Sequence, residues 1–185
     1  MNRDDLNSAF ACIPPKVTER TGPITFQAER ELDDPDALSR WTQSATGLLI
    51  ELASEDVEPH DLAMELLTCV GQALWERMEE EERRAWLSVL LEETGAGIRG
   101  ELDEAALEAK RYLRTHPASP DALEAYAAAA FAASLAEYVH SLWHDIEFNE
   151  GEDFLPEAAV KRRFELLSHR SEERRVGKES RSRWS

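Results

Sequence analysis

Beyond Asp34 the apolar residues of the chain recur at helical intervals. Leu38, Trp41, Ala45, Leu48, Leu49 and Leu52 share one face of a helical period, and Asp34-Pro35 is a favourable helix start, so the pattern predicts a first helix here. Pro59 opens a second, with Leu62, Leu66, Cys69, Val70, Ala73 and Leu74 inward. The run Glu79 to Arg84 joins it to a third segment carrying Trp86, Val89 and Leu90, with Glu79–Arg83 and Glu80–Arg84 spaced for ion pairs along a solvated face. After a glycine-containing loop, Leu102, Ala106, Ala109 and Leu113 mark a fourth helix. Ser119 as N-cap and Pro120 at the first helical position start a fifth, predicted to run to about Phe148. Its first half, AYAAAAFAAS, is apolar all round, which places it at the centre of a bundle. A last helix has Val160, Phe164 and Leu167 inward.

Residues 1–30 have no such period, and Pro14-Pro15 interrupts any helix. They read as a mostly non-helical arm, in which KVTER and PITFQ around Thr21-Gly22 could form a short hairpin. The expectation is therefore an all-α fold: a bundle of five or six helices over residues 31–169, preceded by that arm.

Candidate chemistry is sparse. GAGIRG, Gly95 to Gly100, matches the dinucleotide-binding glycine pattern, but a helical segment precedes it where a strand is needed, and Glu92 and Glu93 would repel phosphate. A helix end followed by a turn explains it better. In EYVHSLWHDIE, residues Glu137, His140, His144 and Glu147 form one stripe. Glu-x-x-His on a helix is half of a di-iron motif, and histidines four apart can chelate zinc. No second Glu-x-x-His occurs in the body, and Leu135, Val139, Leu142 and Ile146 form an apolar stripe opposite. The expectation is an ordinary polar face, with no cofactor and no metal, these four being the only metal candidates. There is no Gly-x-Ser-x-Gly elbow, and neither Cys12 nor Cys69 has a basic setting. Trp41, Trp75, Trp86 and Trp143 fall within the predicted helices as core residues.

Charge changes the picture more. The 185 residues hold 21 Lys+Arg against 38 Asp+Glu, a net charge of −17. Six of the basic residues lie in the last stretch, RSEERRVGKESRSRWS, Arg170 to Ser185, which carries no apolar period. That stretch resembles the translated frame of a sequencing adapter, matching it everywhere except Ser180, where the adapter frame gives Cys. Residues 170–185 are therefore expected to be a non-native tail, and Trp184 is kept out of the functional reading. Without it the body holds 15 basic and 35 acidic residues, a net charge of −20. Such a body repels nucleic acid and anionic lipid and is drawn to basic surfaces. No apolar segment is long enough to span a bilayer and the N-terminus lacks signal-peptide character, so a cytoplasmic protein is expected.

The resulting expectation is a non-enzymatic protein-interaction module: an accessory subunit, adaptor or inhibitor with a basic protein partner. Self-association stays open, and neither direct nucleic-acid nor membrane binding is expected. Two alternatives stand beside it: an inhibitor whose carboxylates imitate the phosphates of a duplex, and a metal-binding helical enzyme built on Glu137, His140 and His144.

Overall fold

A computed structural model describes residues 4–34, 37–146 and 148–179, with side chains over 5–34, 37–146 and 148–168. The element order is α1 (Asp4–Cys12), α2 (Pro15–Thr21), β1 (Ile24–Glu29), β2 (Ser39–Ser44), β3 (Gly47–Ala53), α3 (Pro59–Glu76), α4 (Glu80–Gly95), α5 (Glu104–Thr115), α6 (Pro120–His140) and α7 (Glu157–Glu179). The chain is thus a mixed α and β fold and not an all-α bundle.

The sheet has the order β1-β3-β2. β1 runs parallel to β3, Ile24 opposite Leu48, and β2 pairs antiparallel with β3, Ser39 opposite Leu52. Residues 39–53, expected within the first helix, form a hairpin instead. Their apolar positions fit both periods, and Ile50 decides between them. It has no place on the helical face, yet a strand sets Leu48, Ile50 and Leu52 on one side, where all three are buried. Leu49 and Glu51 take the other side, where Arg40, directly opposite, binds Glu51 through two hydrogen bonds of 2.6 and 2.7 Å. Trp41 is therefore a half-buried strand residue whose indole N–H donates to Gln72 on α3 at 2.9 Å.

The expected N-terminal arm is also corrected. Residues 4–21 form two short helices, and Leu6, Ala9, Ile13 and Val17 are buried in the main core. Pro14-Pro15 ends the first helix and places Pro15 at the first position of the second. KVTER is thus helical, while PITFQ contributes β1, pairing with β3.

The helices downstream follow the apolar pattern more closely. α3 packs against the sheet, α1 and α6. α3 and α6 come so close that a Cβ on Gly71 would lie 2.7 Å from the Cα of Ala132. The alanines of α6 permit that approach, and Tyr126, Ala127, Ala130 and Phe131 are all buried. Helix α6 ends at His140, well short of Phe148, and a turn takes over. Of the two ion pairs expected in the Glu79–Arg84 run, Glu80–Arg84 forms at 3.3 Å. Glu79 instead caps α4, and Arg83 reaches Glu124 on α6 and the Trp75 carbonyl on α3.

Candidate functional site

The loop after α4 aims one carboxylate into the core. Gly97 adopts φ +80°, and the N–H groups of Ala96, Gly97 and Ile98 close the helix end on the carbonyls of Glu92, Thr94 and Glu93. The chain then passes Phe154 so closely that a Cβ on Gly100 would lie 2.1 Å from its carbonyl oxygen. Glu101 pairs with this segment as a parallel bridge, its N–H donating to the Asp153 carbonyl at 3.1 Å. The glycines of GAGIRG thus serve a helix end and a close backbone crossing.

Glu101 is the hub of a buried polar network. Its Oε1 accepts from Lys110 Nζ (2.9 Å), Tyr126 Oη (2.6 Å) and Arg163 (2.9 Å), and its Oε2 accepts from Arg163 at 2.8 Å. Arg163 also donates to Glu93 at 2.6 Å and to Ser134 Oγ at 3.3 Å. Burial alone would raise the Glu101 carboxyl, but Arg163 and Lys110 outweigh it and hold the group below the usual carboxylate range. Burial, then the Glu101 charge, pushes the Tyr126 hydroxyl up, so it remains a donor. Two carboxylates face two basic groups, and every oxygen of Glu101 is engaged. The cluster has no acid or base free for catalysis. It ties α7 to α4, α5 and α6.

Above Glu101 lies a recess of about 60 Å³, with Ile146, Phe148, Phe154, Leu155 and Val160 among its walls and Glu137 at its side. It is smaller than the ~150 Å³ of an engineered cavity that admits benzene, and far below the ~300 Å³ at which metabolite pockets begin. Phe148 and Phe154 are 40% and 44% exposed, well above what a core aromatic shows. Glu150 and Glu152 on the same loop are exposed and make no ion pair among the described residues.

Glu137 also connects the recess to a cluster of imidazoles. The Glu137 carboxylate accepts from His140 Nδ1 at 3.1 Å. His140 is buried, and its Nε2 makes no hydrogen bond among the described residues. Its ring lies 5.3 Å from that of His144, just past the helix, and 4.9 Å from that of His60 in the first turn of α3. The structure therefore brings Glu137, His140 and His144 together, while Glu147 lies outside the described residues. It corrects one expectation: His140 does not face solvent but fills the gap between α6 and the start of α3. The apolar stripe opposite breaks where the helix ends, so that Leu135 and Val139 are buried but Leu142 is 51% exposed. Among the described residues no group of three or more His, Cys, Asp or Glu side chains stands ready to hold a metal ion. Cys69 is buried, its thiol pushed up to about 11 by that burial, which keeps it unreactive.

Sequence reasoning missed His60, Glu101, Arg163 and the pair Phe148 and Phe154. Only the two phenylalanines left a trace, Phe154 as an apolar residue in the acidic stretch NEGEDFLP and Phe148 immediately before it. Comparison with known proteins brings no match from a family model, a curated protein or a solved structure. No helix among the described residues is long and apolar enough to cross a membrane.

Proposed function

We propose that the chain is a non-enzymatic interaction module, an accessory subunit, adaptor or inhibitor, acting in the cytoplasm on a protein partner. The partner presents a basic segment with one apolar anchor residue. The observation that carries this reading is the recess on the α6–α7 loop, with two exposed aromatic walls and unpaired carboxylates beside them. A cavity of that size suits the tip of one side chain, not a metabolite. Exposed aromatics at the mouth of a small recess with a mixed polar and apolar lining suit an anchor residue carried by a charged segment. Charge supports the basic partner. Among the described basic side chains only Lys16, Arg77, Arg99 and Arg114 make no ion pair, so the cations are largely spent within the fold while many carboxylates are not. Carboxylates without an ion pair occur on α3, α4, α5 and the α6–α7 loop.

Panning a random-peptide display library against the immobilised chain tests this. The enriched peptides should carry an aromatic or branched aliphatic residue flanked by Lys or Arg. Their affinity should fall with added salt, and by about 10-fold or more on Phe154→Ala. Failure to enrich any sequence, or binding indifferent to both salt and Phe154→Ala, would sink the reading.

A further inference from the structure

We propose that His60, His140 and His144 form a binding site for a divalent late-transition cation, with zinc as its natural probe. Three observations carry it. The first is spacing. Imidazoles sharing a metal at a Zn–N distance of about 2.0 Å, with tetrahedral angles, have ring centroids roughly 5 Å apart. The observed separations are 4.9 Å (His60–His140), 5.3 Å (His140–His144) and 6.2 Å (His60–His144). The backbone of α3 and of the turn after α6 thus already sets three rings near coordination distance. The second is the state of His140. Its Nδ1 lies 3.1 Å from the Glu137 carboxylate, so in the neutral ring Nδ1 is the donor and Nε2 carries the lone pair. A ligating histidine is typically held in this way, by a carboxylate on the far side of the ring. The third is that this Nε2 is buried and makes no hydrogen bond among the described residues, a costly state for a polar atom unless something binds there.

The three nitrogens do not converge as the rings stand. His60 and His144 are both exposed, and binding requires each to turn about its own side-chain torsions toward Nε2. For His144 this means exchanging an exposed contact with the Asp145 carbonyl, 3.1 Å, for the metal. Water completes the coordination from the open side. Imidazole donors select zinc and its neighbours over magnesium and calcium, which take oxygen ligands. The site does not depend on the docking role proposed above.

The test is calorimetric titration of the untagged full chain with zinc chloride in a non-chelating buffer, with magnesium and calcium as controls. One saturable equivalent of zinc is expected, with neither control competing. Because His60 and His144 are exposed, His60→Ala and His144→Ala leave the fold intact, and each should weaken zinc at least about 10-fold. Glu137→Gln should weaken it by about 10-fold through the orientation of His140. Cobalt as a second probe should give the visible absorption of four-coordinate, imidazole-rich binding, lost in both histidine variants. Zinc binding that is absent, or equal in wild type and either histidine variant, overturns the site and leaves only diffuse association with surface carboxylates.

Discussion

Arg163 sits fully buried between Glu93 and Glu101, and its replacement by methionine should be among the most damaging single changes in the chain. The loss comes less from the missing attraction than from Glu93 left in the interior without a counter-ion and Glu101 left with Lys110 alone, a situation that costs about 3–5 kcal/mol. The urea midpoint of Arg163→Met should fall accordingly, and a change within error would mean that water reaches the cluster. The same network fixes a pH dependence. The Glu101 carboxyl is depressed in the folded state, so the unfolded chain binds the proton more readily. Its stabilising contribution is complete above the ordinary glutamate range and disappears as pH falls through the lower, folded value. Denaturation midpoints measured down from neutrality should show this acid loss in wild type and a smaller one in Glu101→Gln. None of this was legible in the sequence. Glu101 is one of 38 acidic residues, and its partners lie 9, 25 and 62 positions away, with no periodicity to connect them.

Among the elements, the contact between α3 and α6 leads to a counter-intuitive expectation. Gly71→Ala would ordinarily strengthen a helix interior by up to about 1 kcal/mol. Here the new methyl group would meet the α6 backbone at Ala132, so the helices must part and the thermal midpoint should drop by several degrees. A higher midpoint would show that the helices yield freely. The start signals of these two helices, Pro59 and Ser119-Pro120, were readable because caps and first-turn prolines act locally. The hairpin was not, because Leu48 and Leu52 satisfy either period and Ile50 alone, off the helical face, speaks for a strand. The N-terminal helices hid behind Pro14-Pro15, although Leu6, Ala9, Ile13 and Val17 keep helical spacing across it. His140 and His144 could be found four residues apart, whereas His60 joins them only through the packing of α3 on α6.

For the whole molecule, deletion of residues 170–185 should leave the thermal midpoint and any partner binding unchanged, since the described core reaches no further than Leu167. A destabilised truncation would make the basic stretch part of the protein. The position of Arg163 has a further consequence, for the order in which the chain is made. A ribosome delivers Glu93 and Glu101 some sixty to seventy residues before the guanidinium that neutralises them. Until α7 emerges, α4 and the segment that carries Glu101 cannot close without burying Glu93 as a bare charge and Glu101 with Lys110 as its one cation. The helical layer is therefore completed at the end of synthesis, and a nascent chain stalled within the α6–α7 loop should remain open to protease however much of its sequence has already been translated.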